Sequence, residues 1–248
     1  MALIGGGAGG AGRAASLQFA GAGARVAIAD RQADAGRAVV AEIAGAGGEA
    51  VFFETDLARA DQVAGAVAGT VRRFGTVDIL VNHAGTFIVR AFHETTEDEW
   101  DALMAVNVKS MFLMCRETIP IMLEAGHGVI VNTSSVSGVT ASALESAYCV
   151  SKGAILQLTR SLAVEYRERG IRCNAVCPGA IRTDHGLREM AELVAHGVDL
   201  GEAGVAASQV RLCEPEEVAS AILFLASDEA SFVNGAALFV DNGWTAAT

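Results

Sequence analysis

Tyr148 and Lys152 stand four residues apart in A-Y-C-V-S-K-G, and Ser135 lies thirteen residues before the tyrosine. On a helix that spacing puts the phenol and the ammonium on one face, one turn apart. A phenol with a reference pKa near ~10 is a poor acid or base at neutral pH, and a fixed cation beside it favours the phenolate. At an effective dielectric of ~20 and about 5 Å, one positive charge supplies roughly 3 kcal/mol, or about two pKa units. The expected chemistry is proton transfer at a substrate oxygen, with Tyr148 as general acid or base. A Y-x-x-x-K pair is common by chance on solvated helices, so its meaning depends on the elements around it.

The other chemical end lies at the start of the chain. A short strand opens into G-G-G-A-G-G-A-G at 5–12, and a helix follows from near Ala11. Glycines let backbone approach a pyrophosphate, and a helix N-terminus offers free N–H groups and a positive dipole. Two registers fit the run: Gly5, Gly7 and Gly10, or Gly6, Gly10 and Gly12. Asp30 closes the second strand, where a carboxylate bonds ribose hydroxyls and repels a 2′-phosphate. Asp56 ends the third strand and N-H-A-G at 82–85 the fourth. All of these fall on the carboxyl edge, where ligands bind in such sheets.

Those residues need a scaffold, and the hydrophobic pattern supplies one. Strands are expected at 2–4, 25–29, 50–54, 78–81, 128–133, 171–176 and 236–240, with helices at 11–22, 32–46, 60–74, 96–124, 146–169 and 215–226. Thr96 and Glu99 form a capping box, and Pro215 followed by Glu216 and Glu217 suits a first helical turn. The alternation predicts an α/β fold: a Rossmann-like, doubly wound, parallel seven-stranded sheet with helices on both faces. No linker or repeat interrupts it, so residues 1–248 read as one domain. The long stretch at 179–214 breaks the alternation and is expected to cover a site.

Composition narrows the partners. The chain has 248 residues and a net charge of −11, which argues against nucleic acid or an anionic membrane surface as a ligand. No apolar run is long enough to span a bilayer, and the N-terminus carries no basic n-region. Five cysteines without a C-x-x-C pattern, and five scattered histidines, suggest neither a disulfide framework nor a metal site. A reducing, cytoplasmic location is therefore expected.

Taken together, the chain resembles a short-chain dehydrogenase/reductase of the single-domain type. The resemblance runs from Ala2 to V-D-N-G-W and rests on Gly6, Gly10 and Gly12, Asp56-Leu57, N-H-A-G at 82–85 and Asn107 in V-N-V. It rests equally on Ser135, Tyr148, Lys152, and P-G-A-I-R-T at 178–183. It implies hydride transfer between NAD(H) and a secondary alcohol or ketone. Tyr148 would exchange the proton, Ser135 would hold the same substrate oxygen, and Lys152 would lower the tyrosine pKa and bond the nicotinamide ribose. Asn107 would kink its helix and hold a water relaying protons toward Lys152. The implied cofactor contacts also take in Ala11, Asp30, Arg31, Asn82, Ala84, Gly85, Pro178 and Gly179, with Ile181 and Thr183 beside the carboxamide. The family's usual threonine is replaced by Gly5, its second asparagine by His83, and V-D-G-G by V-D-N-G.

The segment 184–212 carries Leu187, Met190, Leu193, Val194, Leu200, Val205, Val210 and Leu212, with His185, Arg188, His196 and Gln209 among them. It suggests a lid over a medium-sized, partly apolar and alicyclic substrate; the same side chains could instead pack on the core or a neighbouring subunit. The helices at 96–124 and 146–169 are apolar on more than one face, and the resemblance implies a homotetramer built on them. Two alternatives stay open. An NADPH-dependent 3-oxoacyl-type ketoreductase would need basic residues at the cofactor end, where only Arg13 and Arg31 are available. A non-catalytic dinucleotide-binding sensor would not need the Ser135, Tyr148, Lys152 and Asn107 set.

Overall fold

A computed structural model describes residues 1–198 and 201–247. Seven parallel strands form one sheet: β1 (Ala2–Gly5), β2 (Val26–Asp30), β3 (Ala50–Glu54), β4 (Ile79–Asn82), β5 (Gly128–Thr133), β6 (Ile171–Pro178) and β7 (Ala237–Val240). Their order is β3-β2-β1-β4-β5-β6-β7. The order reverses between β1 and β4, which pair in register from Ala2 opposite Ile79 to Gly5 opposite Asn82. The two halves wind away from each other there, so a crevice opens beyond the carboxyl ends of β1 and β4.

The period-2 alternation of the strands sorts their side chains to two cores. On one face Ile4, Ile28, Val81 and Val131 pack against α1 (Gly10–Gly21), α2 (Ala33–Gly45) and α9 (Pro215–Ala226). On the other, Leu3, Ala27, Leu80 and Ile130 meet α3 (Ala60–Phe74) and the helix α5 (Ser110–Ala125). The long α6 (Ser146–Tyr166) carries Ala163 and Leu162 onto the same side. Both faces being covered explains why the strands read as continuous apolar runs.

Two expectations need correcting. The segment 96–124 is not one regular helix. A capped α4 (Glu97–Met104) passes through a π-helical turn at Ala105–Lys109 into α5. The extra residue in that turn rotates Asn107 inward, where its side chain bonds a neighbouring loop instead of facing solvent. The segment 184–212, where no helix was expected, holds α7 (Asp184–Ala195) and α8 (Glu202–Gln209). Thr183 caps α7 by accepting from the Gly186 N–H at 3.0 Å. Of the apolar residues expected in that lid, Leu200 lies outside the described residues. Among the described residues, no helix is long and apolar enough to cross a membrane.

Candidate active site

Steric demand shows why the run is glycine, and it is greatest at Gly6 and Gly12 among those that face the end of β4. Gly6 sits at φ +82°, and a Cβ there would lie 2.5 Å from the Ala84 nitrogen. A Cβ on Gly12 would lie 2.0 Å from the Gly6 carbonyl oxygen, and Gly10 sits at φ +50°. Only glycine lets the loop lie this close to the end of β4, with α1 starting directly behind it. The N-cap of that helix, Gly9, contributes no side-chain cap. The first-turn N–H groups thus face the crevice without a competing side-chain oxygen.

Asp30 stands at the end of β2 and is 7% exposed. One carboxylate oxygen accepts from the Ala8 N–H at 3.1 Å, the other from the Gln32 N–H at 3.0 Å. The carboxylate therefore ties the glycine loop to the turn after β2 while still lining the cleft beside Arg31. Arg13, by contrast, points away and pairs with Glu42 at 2.5 Å. A loop that only glycine can form, an open helix N-terminus and a carboxylate at the second strand end together fit a dinucleotide: pyrophosphate on the helix, ribose on Asp30.

The cleft measures about 760 Å³ and runs from that loop to the lid. Its walls include Gly6, Gly10, Ala11, Asp56, Leu57, Ala84 and Gly85 at one end. Ser135, Tyr148 and Lys152 lie in its middle, with Pro178, Gly179, Ile181 and Thr183 opposite. Three expected residues do not line it. Gly12 is spent on the close approach to Gly6. Asn82 is buried in the sheet, donating to the Asn132 side-chain oxygen at 2.8 Å. Asn107 is fully buried, and its amide clamps Thr86: it accepts from the Thr86 N–H at 2.7 Å and donates to the Thr86 carbonyl at 2.8 Å. Its second amide hydrogen goes to the Ser151 hydroxyl at 2.9 Å. Both Asn107 hydrogens are thereby used in holding the cleft wall.

Ser135 follows β5 in extended conformation, and its hydroxyl accepts from the Ser137 N–H at 3.2 Å. It lies within hydrogen-bond reach of the Tyr148 phenol, which projects from the first turn of α6. Lys152, one turn on, is buried at 4% exposure and donates to the Thr133 carbonyl at 3.2 Å. The Ser134 hydroxyl donates to the Lys152 carbonyl at 2.8 Å and locks the strand end to the helix. The end of strand β5 and helix α6 thus bring three side chains from two stretches of sequence together.

The electrostatics differ from the expectation built on spacing alone. Burial first, and then the Glu189 carboxylate, push the Tyr148 phenol well above its ordinary value; the Ser135 hydrogen bond opposes them. Lys152 is not among the main causes of that shift. Burial depresses the ammonium itself, to about 8, and its nitrogen is engaged with Thr133. The i, i+4 spacing placed both groups on one face, but the cation sits 5.5 Å from the ring centroid of Tyr148. His83, whose Nδ1 lies 3.1 Å from the Thr133 hydroxyl, is held neutral by burial and by Lys152, with its pKa near 4.

The lid contributes His185, Arg188, Met190, Leu193 and Val205 to the cleft, among the residues singled out in sequence. His185 packs edge-on to Phe87 at 4.9 Å, and the Arg188 guanidinium covers the same ring at 5.0 Å. Phe87, Val89, Tyr148 and Leu193 form a small apolar cluster joining the lid to the tyrosine. Leu187, Val194 and Val210 are exposed, Leu212 is buried away from the cleft, and His196 is exposed with its Nδ1 turned to the Glu192 carbonyl. Gln209 is a strut: its amide bonds both the N–H and the carbonyl of Ala180. Sequence reasoning missed Glu145 and Glu189, which share the substrate end of the cleft. The only local signal was an acidic residue three before Tyr148.

Comparison with known proteins agrees with this geometry. A family model described as Enoyl-(Acyl carrier protein) reductase matches residues 6–245. The chain is 40% identical to 2-(R)-hydroxypropyl-CoM dehydrogenase of Xanthobacter autotrophicus, over 99% of this chain and 98% of that one. The structure of levodione reductase superposes with a TM-score of 0.95 at 32% identity, covering 100% of this chain and 98% of that one. A short-chain type dehydrogenase/reductase from Mycobacterium marinum superposes with a TM-score of 0.91 at 36% identity, covering 98% and 94%. The chain therefore belongs to the short-chain dehydrogenase/reductase family, and it is an oxidoreductase that acts on an alcohol or ketone with a nicotinamide cofactor.

Proposed function

We propose that the protein interconverts a medium-sized secondary alcohol and its ketone, with Tyr148 as general acid and base and NAD(H) as the cofactor. The observation that carries this reading is the meeting of Ser135, Tyr148 and Lys152 in the cleft that begins at the glycine loop. When bound, the nicotinamide supplies or accepts the hydride. Ser135 holds the substrate oxygen beside the Tyr148 hydroxyl. In reduction Tyr148 gives its proton to that oxygen; in oxidation it takes the hydroxyl proton. Lys152 anchors the cofactor ribose and the end of β5. Asn107 acts as a positioning residue, through Thr86 and Ser151, and not as a group that touches substrate. The apolar wall of Phe87, Val89 and Leu193 suits a compact, partly alicyclic carbon frame.

Asp30 supports NAD over NADP, since its carboxylate occupies the place a 2′-phosphate would need. Arg13, one of the two cations available to such a phosphate, is committed to Glu42, which weakens the NADPH-dependent ketoreductase alternative. A homotetramer and a cytoplasmic location complete the proposal. Phe112 on α5 and Val150 and Val164 on α6 are 49%, 49% and 64% exposed, which gives these two helices an apolar outer face. The test is a panel of secondary alcohols and ketones assayed with NAD(H) and NADP(H), with light scattering on the same sample. Turnover only with NADP(H), or a mass near 25.5 kDa, would refute the corresponding part.

A further inference from the structure

Glu145 lies immediately before α6, three residues ahead of Tyr148, and is 3% exposed. The preceding residue, Leu144, is held at φ +66°, a conformation that L side chains rarely adopt, and its carbonyl accepts from the Arg90 N–H at 2.7 Å. A strained turn thus immediately precedes the buried Glu145. Glu189 reaches the same point from α7, and both residues line the cleft. The Glu189 carboxyl and the Ser142 hydroxyl lie within hydrogen-bond reach of Glu145. With both acids ionised, Oε1 of Glu145 is buried without any donor.

Two carboxylates this close in a buried site cannot both carry charge unless a cation joins them, so one otherwise keeps a proton. Burial pushes both acids up; the Glu145 charge adds to this at Glu189, while the hydrogen bond from Glu189 opposes it at Glu145. Lys152 and Arg188 favour the Glu189 charge, but from beyond ion-pair distance. Neither carboxylate is ion-paired to a lysine, arginine or histidine among the described residues. Lys152 is engaged with Thr133, Arg188 lies over Phe87, and burial holds His185 neutral, near 4. We propose that Glu145 and Glu189 form a subsite for a cationic amino group, so that the substrate class is an amino alcohol or the matching amino ketone. This rests on the alcohol–ketone reading above and supplies its missing specificity. The ammonium would replace the shared proton, take the empty Oε1 as acceptor, and present its carbon frame to Phe87 and Leu193. An anionic substrate meets two acids here and is rejected.

The test compares secondary alcohols on the same three-carbon frame that carry a cationic, a neutral and an anionic group: 1-amino-2-propanol, 1,2-propanediol and 2-hydroxypropane-1-sulfonate. The expected order of kcat/KM is amine, then diol, then sulfonate, with the amine at least tenfold above the diol. In Glu145→Gln, Glu189→Gln and the double variant the amine-to-diol ratio should fall toward one. A ratio is read because the absolute rates of these variants will also change. Glu189, on the lid and less buried, provides a variant that folds even if Glu145→Gln does not. A wild type that prefers the diol or the sulfonate, or a ratio unmoved by both substitutions, overturns the proposal. Calorimetry with the amine separates the two readings. Binding that is lost in the double variant, without turnover of any alcohol, would uphold the subsite and refute the reaction. Turnover of neutral alcohols without amine binding would do the reverse.

Discussion

The ammonium of Lys152 lies 5.5 Å from the centre of the Tyr148 ring and is hydrogen-bonded to the Thr133 carbonyl, not to the phenol. The lysine therefore braces the end of β5 while the tyrosine is left to Ser135. Removing each should have a different signature. Tyr148→Phe should lower kcat by about 10²–10⁴-fold while leaving dinucleotide affinity within a few-fold, since only the proton transfer is lost. Lys152→Ala should lower both turnover and dinucleotide affinity. Fluorescence titration of the cofactor beside steady-state kinetics measures the pair of effects, and wild-type rates in Tyr148→Phe would end the assignment.

Tyr148 keeps its proton through the neutral range, because burial and Glu189 raise its pKa. Reduction needs that proton on the phenol, so it should run well at neutral pH. Oxidation needs it absent and should climb as pH rises. Glu189→Gln removes the charge that opposes the phenolate. Its oxidation profile should shift to lower pH, by about half a unit to one unit. A shift toward higher pH would contradict the electrostatic account.

Asp30→Ala should raise the NADP-to-NAD ratio of kcat/KM by roughly ten- to several-hundred-fold, the range expected from removing a like charge about 4 Å from a phosphate. Because the carboxylate also accepts from Ala8 and Gln32, affinity for both dinucleotides should drop as the loop loosens. The ratio isolates the charge effect. If the ratio stays put, Asp30 serves the loop alone.

Gly12→Ala tests the close approach directly. Its Cβ would meet the Gly6 carbonyl oxygen at 2.0 Å, so loop and helix must separate. Cofactor affinity should fall more than tenfold, while circular dichroism of the folded chain is retained. Binding at wild-type strength would place the dinucleotide elsewhere.

His83 is half-buried and stays neutral down to about 4, whereas its ordinary value is 6.5. Below 6.5 the unfolded chain takes up a proton that the fold refuses. Stability is therefore lost as pH falls from 6.5 toward 4, by up to about 3 kcal/mol. His83→Asn should flatten that part of the melting-temperature profile. An unchanged acid slope would assign the loss to other groups.

Much of this arrangement was legible in the chain because it is local. The alternation of apolar runs with helical patterns, the box at Thr96 and Glu99, and the i, i+4 pair of Tyr148 and Lys152 each depend on neighbours within a turn or a strand. Such patterns specify which residues share a face, and the seven-stranded parallel sheet follows from repeating them. What they do not specify is distance between faces. The resemblance already named Gly6, Gly10 and Gly12, but the steric reason for Gly6 lies in how close the loop comes to Ala84 at the end of β4. Asn82 and Asn107 belong to the matching motifs, yet packing turns them into the sheet and onto Thr86 instead of into the cleft. Lys152 ended at Thr133 because its buried ammonium found a carbonyl acceptor there. Glu145 and Glu189 are far apart in the chain and unremarkable in it. They meet because the order of β5 and β6 brings α6 and the lid helix α7 to the same sheet edge, and burial there turns two ordinary acids into one site.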